Sequence, residues 1–194
     1  MAASTRRRQP DIVRAALLDA AVQEAVHAGL GSVTVLAVAA RAGVSKGALF
    51  HHFPNRQALL EAAYAECLAQ FGVAIDALLA DDPTPHGRFT RAYVRATFAA
   101  MQMDDRSWAR FSLTALVEPA FAEQWRQWLG ARLDALPAER TDPRLRVARL
   151  AADGYWLQML GSGFGAYDTD GLEALLDAVL RFTCEDAGAG VARG

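Results

Sequence analysis

The segment that most constrains this chain is residues 34–53, in which two short helical patterns are separated by residues 42–45. Gly43 supplies a residue that can adopt positive φ, as a sharp turn between two helices requires. Thr34 and Ser45 stand directly before the two patterns, and both are residue types that cap the first turn of a helix. The segment therefore predicts a helix-turn-helix, which presents its second helix to the major groove of DNA.

The second of these helical patterns has an apolar face, which is expected to point inward, and a face that is expected to be exposed. Leu49 and Phe53 lie four residues apart and share one face, which we expect to pack against the domain. The other face offers a cation, imidazoles and small residues, which suit contacts with phosphates and base edges. The predicted DNA contacts are Thr34, Ser45, Lys46, Gly47, Ala48, Phe50, His51, His52 and Arg56.

Charge is unevenly distributed along the chain. The formal net charge is −2, but residues 1–60 carry seven basic and three acidic side chains, whereas the rest carries thirteen and nineteen. The net charge is therefore +4 before the division and −6 after it. This asymmetry favours an anionic partner at the helix-turn-helix end, although charge alone leaves solvated surface without a partner as an alternative.

Composition argues against several other classes of protein. The longest run without Asp, Glu, Lys or Arg is the 16 residues 25–40, so no membrane-spanning segment is expected. No apolar segment typical of a secretory signal follows residues 6–8. Cys67 and Cys184 are far apart, and the four histidines lack the spacing of metal ligands. We expect a cytoplasmic protein without a disulfide, a metal or a cofactor.

Helical patterns run through the rest of the chain. An apolar stripe begins near Asp11 and ends at Gly29, and the arginine arm before it is expected to be disordered without a partner. A long helix capped by Asn55 runs to the breakers at residues 81–83. Further patterns cover residues 86–101, 106–117, 118–136, 143–161 and 171–186. Because no alternating apolar-polar run competes with these patterns, we predict an all-α fold of about nine helices.

Several short runs between residues 14 and 60 occur together in a fixed order. They are the helix end at 27–29, Thr34 with Val38-Ala39, the turn at 42–45, Leu49-Phe50-His51-His52-Phe53, and the tail at 55–60. In this combination the segment resembles the DNA-binding domain of the TetR family of transcriptional regulators. Phe50 stands where the family commonly has a tyrosine, and it lacks the hydroxyl group. The resemblance implies a dimeric, ligand-responsive regulator, and a repressor in particular.

Aromatic residues and methionines are concentrated after residue 88. Residues of this kind at helical spacing are usually core, but together they suit an apolar ligand cavity, which the resemblance also implies. The predicted ligand-binding residues are Phe89, Tyr93, Met101, Trp108, Phe111, Trp125, Trp128, Trp156 and Met159. Asp153, Glu118, Arg91 and Arg95 are candidate polar contacts if they face inward.

The last two helical patterns carry features of a dimer interface. The final pattern has an apolar stripe at positions i, i+3, i+4, i+7 and i+8, and small residues occur in the pattern before it. An intrachain hairpin would explain both features, but similarity to the dimerising helices of the TetR family favours a two-fold interface. The predicted interface residues are Leu150, Gly154, Leu157, Leu172, Leu176 and Val179.

No catalytic constellation is visible in the sequence. The glycine-rich run at 161–165 closes a helix instead of opening one after a strand, so we interpret it as a structural break. Ser107, Ser112 and Ser162 lack the GxSxG setting of a nucleophile. An enzyme is therefore not expected.

The sequence predicts a homodimeric regulator of transcription that leaves a palindromic operator when it binds an apolar or amphipathic small molecule. Residues 1–55 are predicted as the DNA-binding domain with a basic arm, 56–187 as the ligand-binding and dimerisation domain, and 188–194 as a disordered tail. Two alternatives stay open at this point. They are a similar regulator without a small-molecule inducer, and an all-α interaction module that does not bind DNA.

Overall fold

The computed structural model describes residues 2–160 and 169–184, without the side chains of residues 2–9, 115–116 and 169–170. These residues contain ten α-helices and two 3-10 helices, and no strand is found among them. The helices are α1 Ala2–Ala28, α2 Val35–Arg41, α3 Lys46–His52, α4 Arg56–Asp81, α5 Arg88–Ala100, α6 Ser107–Ser112, α7 Pro119–Asp134, α8 Pro137–Thr141, α9 Pro143–Leu160 and α10 Thr169–Arg181.

The all-α prediction is confirmed for the described residues. The helix that the sequence pattern missed is α8, a five-residue element that begins with a proline and is too short to show a periodic stripe. The predicted break at 161–165 and the predicted tail at 188–194 lie outside the described residues. Asp142 caps α9 as expected, because its Oδ1 accepts hydrogen bonds from the backbone N–H groups of Arg144 and Leu145 at 2.7 and 3.4 Å.

The described chain forms two compact units. The first unit contains the residues up to Gln70 together with Asp105–Arg126, and the second contains Phe71–Asp104 and the residues from Gln127 onward. The domain boundary predicted between residues 55 and 56 stays a prediction.

The first unit has a core of aliphatic and aromatic side chains. Leu17 and Val22 of α1 are fully buried, as are Val38 of α2 and Leu49 of α3. Tyr64 stacks on Phe121 with 5.1 Å between ring centroids. Burial of these apolar groups supplies the main free energy that holds the short helices α2 and α3 in place.

Two helix boundaries in the first unit differ from the sequence prediction. α1 begins at Ala2 and not near Asp11, since Ala, Arg and Gln favour helix and Pro10 removes only one backbone donor. α6 ends at Ser112, and a 3-10 helix replaces the predicted continuation to residue 117. The hydroxyl groups of Ser112 and Thr114 donate to carbonyls three residues earlier, which competes with regular α-helical pairing.

The second unit is built on the packing of α5 against α9, with α10 against both. Ala92 and Ala96 of α5, and Ala148 and Ala152 of α9, are buried small residues that let helices approach closely. Gly87, directly before α5, has a φ of +69°. A Cβ atom there would lie 2.6 Å from the carbonyl oxygen of Thr183, so only glycine fits this position.

Among the described residues, α4 is long and apolar enough to cross a membrane by length and composition. The sequence prediction of no membrane-spanning segment considered only runs without any charged residue. α4 is not such a run, because it contains Glu66 and Asp76. The core helix of a soluble protein can have the same length and composition. Leu59, Leu60 and Ile75 of α4 are buried in the protein.

Candidate DNA-binding surface and effector region

The helix-turn-helix has the local geometry that its sequence predicts. Thr34 Oγ1 accepts a hydrogen bond from Ala37 N at 3.1 Å, and Ser45 Oγ accepts one from Ala48 N at 3.1 Å. Gly43 has a φ of +67° in the turn. The two caps and the glycine turn are therefore confirmed. Because capping uses only an acceptor of each hydroxyl, both O–H donors stay available to a phosphate.

The outward face of α3 is solvent-accessible along its length. Lys46, Gly47, Phe50 and His51 are exposed, and Ala48 and His52 are partly exposed. We call these six residues the α3 surface. The inward residues Leu49 and Phe53 are buried, as predicted.

Lys46 is the basic side chain of α2 and α3 without an acidic partner among the described residues. Its Nζ lies 5.7 Å from the centroid of the Phe50 ring, a cation-π contact at the surface. Arg41 of α2, by contrast, has its Nε 2.5 Å from Glu24 Oε1. Arg14 of α1 lies over the ring of Phe53 at 5.6 Å. Within α2 and α3, the exposed ammonium group without an acidic partner among the described residues therefore lies on the α3 surface.

The guanidinium of Arg56, predicted to contact DNA, is bonded to backbone carbonyl oxygens of the same unit. Its Nε donates to the carbonyl oxygen of Val33 at 2.6 Å, and its Nη2 donates to that of Leu30. The guanidinium is therefore committed to the backbone of the segment that precedes α2. These two hydrogen bonds give Arg56 a positioning role for that segment, and its predicted contact with DNA stays a prediction.

The nine predicted ligand residues are divided between the two units. Trp108, Phe111 and Trp125 belong to the first unit, and Phe89, Tyr93, Met101, Trp128, Trp156 and Met159 belong to the second. Phe89, Tyr93, Met101 and Phe111 are buried core side chains, as apolar residues at helical spacing usually are. The two tryptophans of the first unit and Trp128, Trp156 and Met159 are partly exposed. Their role in ligand binding stays a prediction.

Aromatic side chains form a cluster in the second unit. The ring of Phe71 lies 5.5 Å from that of Tyr93 and 5.7 Å from that of Trp128. Arg132 lies over Trp128 at 4.8 Å and forms an ion pair with Asp76 at 2.7 Å. The cluster joins α4, α5 and α7 by packing.

The candidate polar contacts have mostly structural partners. Arg91 donates to Asp82 and to the carbonyl oxygens of Thr84, His86 and Thr183. Asp153 accepts a hydrogen bond from the hydroxyl of Tyr93. Burial raises the pKa of Asp153, although the hydrogen bond from Tyr93 opposes the shift. Arg95 is exposed and Glu118 is partly exposed.

The second unit contains a buried polar network that the sequence did not predict. Glu139 of α8 accepts hydrogen bonds from Phe89 N at 2.7 Å, from Thr90 N at 3.0 Å and from Thr90 Oγ1 at 2.6 Å. It thereby caps α5. Arg149 of α9 donates to Thr90 Oγ1 at 2.5 Å and to the carbonyl oxygen of Glu139 at 3.2 Å. Burial lowers the pKa of Arg149, and the charge of Glu139 opposes that shift.

A cavity of about 710 Å³ lies in the second unit, beside this network. Residues from the end of α4, the start of α5, α8 and the beginning of α9 line it. Of the nine predicted ligand residues, Phe89 contributes to the lining.

The predicted dimer residues differ in exposure. On α9, Leu150 is 58% exposed and Leu157 44%, and Gly154 is exposed between them. Leu172 and Leu176 of α10 are half-buried. Val179 is only 5% exposed because α10 packs on α5 and α9 of the same chain, so its assignment to a dimer interface is corrected to the protomer core.

No group of three or more His, Cys, Asp or Glu that could hold a metal ion occurs in the part of the chain that the structure describes.

A capped helix-turn-helix with an exposed second helix, followed by a helical unit, defines the class of helix-turn-helix transcriptional regulators. Residues 17–63 match the family model of bacterial regulatory proteins of the tetR family, and residues 87–183 match a tetracyclin repressor-like C-terminal domain. The chain belongs to the TetR family.

Curated relatives are named as transcriptional regulators. The HTH-type transcriptional regulator BetI of Serratia proteamaculans is 31% identical over 161 residues, which cover 76% of this chain and 80% of that protein. BetI of Pseudomonas aeruginosa strain LESB58 is 29% identical over 183 residues, which cover 82% of this chain and 86% of that protein.

Solved structures have the same fold. The multidrug binding protein EbrR, complexed with malachite green, aligns with a TM-score of 0.68 at 25% identity, over 89% of this chain and 98% of that one. A TetR family regulator from Marinobacter aquaeolei VT8 aligns with a TM-score of 0.69 over 91% and 97% of the two chains. Because the two chains are only 15% identical, this similarity shows a shared fold and nothing about function.

Proposed function

We propose that the protein is a cytoplasmic, homodimeric repressor that binds a pseudo-palindromic operator through α3 and leaves it when a small apolar or amphipathic molecule binds. It acts without catalysis and without inserting into a membrane. The observation that carries the proposal is the α3 surface, where Lys46 and His51 are exposed on a helix whose first turn is capped by Ser45.

Contacts with DNA follow from the chemistry of that surface. An ammonium group without an acidic partner is suited to a phosphate, and binding there releases counterions. Imidazoles and the ring of Phe50 are suited to base edges and thymine methyl groups, respectively. The small residues Gly47 and Ala48 allow close approach of the helix backbone to the groove.

A dimer is supported by the exposed apolar face of α9. Val147, Leu150 and Leu157 are 45%, 58% and 44% exposed, and their spacing puts them on one side of the helix around Gly154. Covering this face with the same face of a second copy removes apolar surface from water in a two-fold arrangement. Two copies of α3 then meet two half-sites about one helical turn of DNA apart.

The proposal of an effector draws on the aromatic second unit and on the relatives. Solved structures of EbrR hold malachite green and ethidium, and EbrR is 25 and 27% identical to this chain in the two cases. A ligand releases DNA only if it binds more tightly to a conformation in which the two α3 helices no longer match the half-site spacing. By linkage, operator DNA must then weaken ligand binding by the same factor.

Selection from a pool of random duplexes tests the DNA-binding role. We expect enrichment of a motif with two-fold symmetry and half-sites 10 to 11 base pairs apart, as a rough spacing for dimeric helix-turn-helix proteins. Absence of any enriched motif would overturn the proposal in favour of an interaction module. An operator whose affinity no small molecule changes would favour a regulator without an inducer.

The dimer has its own test. Leu150→Glu places a charge on the exposed α9 face, where burial against a partner would leave it unpaired, so the variant should be monomeric. Val73→Glu changes a residue of α4 that is 69% exposed, against 58% for Leu150, and serves as the matched control. Light scattering at micromolar concentration should show a dimer for the wild type and the control. A monomeric wild type would refute this interface.

A further inference from the structure

The cavity in the second unit has mainly apolar walls. Leu79 of α4, Phe89 of α5 and Leu136 beside α8 contribute to its lining, and the exposed residues Ala80 and Ala138 lie at its rim. Its volume of about 710 Å³ falls within the range of small-molecule sites. An apolar chain of moderate length fits such walls.

The two carboxylates on the lining already have donors for both of their oxygens. Asp76 is paired with Arg132 in a bidentate arrangement at 2.7 and 3.2 Å. Glu139 accepts from the N–H of Phe89, the N–H of Thr90 and the hydroxyl of Thr90. Neither carboxylate therefore requires a cation from a ligand.

Arg88 of α5, unlike the two carboxylates on the lining, is not bonded to a group of opposite charge among the described residues. Its Nε and Nη2 both donate to one neutral acceptor, the carbonyl oxygen of Leu79, with 2.8 Å from Nε. No carboxylate lies within ion-pair distance of its guanidinium among the described residues, and its Nη1 has no acceptor there. The nearby carboxylate of Asp82 is bonded to Arg91 and to Thr84 N. The charge of Arg88 helps to lower the pKa of Asp82, but among the described residues no carboxylate forms an ion pair with this guanidinium.

We infer that this cavity binds an amphipathic carboxylate, with the carboxylate at Arg88 and the hydrocarbon chain along Leu79, Phe89 and Leu136. Guanidinium is the side-chain group best matched to a carboxylate, and a charged hydrogen bond is stronger than a neutral one. The inference names the chemical class of the proposed effector, and it rests on the proposed function for its regulatory consequence only. Binding itself involves the second unit alone.

Three probes of equal chain length separate charge from hydrophobicity. Decanoate, decanol and decyltrimethylammonium are titrated into the full-length protein by calorimetry, with no DNA present. Decanoate should bind at least tenfold more tightly than the other two. Equal or tighter binding of decyltrimethylammonium would overturn the inference.

Substitutions then locate the site. Arg88→Gln keeps a donor for the Leu79 carbonyl but removes the charge, and it should weaken decanoate binding about tenfold or more, whereas Arg88→Lys should retain most of the affinity. Unchanged affinity in Arg88→Gln would contradict the assignment.

A second pair of variants keeps the test valid if Arg88→Gln does not fold. Ala80→Trp narrows the cavity at its rim, and Ala77→Trp adds the same bulk to an exposed position of α4 outside the lining. Decanoate binding should fall at least tenfold in the first variant and stay unchanged in the second. Equal affinities in both would overturn the inference.

The outcomes for the cavity and for the DNA-binding role are separate. Binding of decanoate by a protein that selects no DNA motif would uphold the cavity and reject the regulator. A selected operator together with no decanoate binding would reject the cavity and uphold the DNA-binding role.

Discussion

The two units differ in how their polar groups are used. In the first unit, the side chains that cap α2 and α3 act locally, because Thr34 and Ser45 each accept a hydrogen bond from a backbone N–H group three residues further along the chain. In the second unit, Glu139 reaches Thr90, and Arg149 of another helix reaches both. The first unit therefore presents exposed polar groups on the α3 surface, whereas the second unit encloses the charges of Glu139 and Arg149 in its core.

The largest expected effect is on the buried network. Glu139→Gln leaves one acceptor oxygen where three donors converge and leaves Arg149 without its counter-charge, so the free energy of unfolding should fall by about 3–5 kcal/mol. Urea denaturation measures it. The matched control is Glu123→Gln, whose ion pair with Arg126 is exposed and should cost less than about 1 kcal/mol. Similar losses in the two variants would remove the distinction between the units.

Each unit contains a turn glycine with nearly the same φ angle. Gly43 has a φ of +67° and open space around an added Cβ, so Gly43→Ala should cost about 1–2 kcal/mol from backbone strain. Gly87 has a φ of +69°, and its added Cβ would lie 2.6 Å from the Thr183 carbonyl oxygen. Gly87→Ala should therefore cost about 1–3 kcal/mol more. Thermal unfolding of both variants checks the order, and a reversed order would contradict this packing.

Sequence reasoning succeeded where the signal is local. Caps, a glycine turn and the i, i+4 pair Leu49 and Phe53 involve near neighbours, so the helix-turn-helix could be predicted closely. The network of Glu139, Thr90 and Arg149 could not, because its members are ten to 59 positions apart and each looks like a surface residue in isolation. The same limit applies to Arg56, whose partners precede it by 23 and 26 residues.

The predicted ligand set illustrates a second limit. Aromatic content does not distinguish a wall of a cavity from a filled core, and Tyr93 and Met101 prove to be buried core. A sequence signal for Arg88 existed only in its position at the start of a helix after a glycine. That position gives no information about which acceptor the guanidinium meets.

A smaller effect concerns pH. The pKa of Asp82 lies below its ordinary value of 3.8, and the largest cause is the hydrogen bond from Arg91. Its contribution to stability is therefore complete above that value and is lost as pH falls through the lower, folded-state pKa. Asp82→Asn should destabilise the protein by about 1–2 kcal/mol at pH 7, and the difference should shrink in acid. Urea titrations at pH 7 and below pH 3.8 measure the difference, and a constant difference would contradict the ion pair.

Asp153 provides a control of opposite sign. Burial raises its folded-state pKa above 3.8, so its ionisation destabilises the fold as pH rises through the folded-state value. In the same titrations, Asp153→Asn should gain stability relative to the wild type with rising pH. The same sign for both variants would rule out the opposite environments assigned to these carboxylates.

The salt dependence of operator binding by Lys46→Ala tests most directly whether the α3 surface binds DNA. If Lys46 of each protomer contacts a phosphate, the slope of log affinity against log salt concentration should flatten by about 0.9 per half-site, or about 1.8 for the dimer. Arg126→Ala removes an exposed cation of the first unit that is paired with Glu123, and its slope should equal that of the wild type. Parallel slopes and equal affinities for Lys46→Ala and the wild type would contradict the claim that the α3 surface binds DNA.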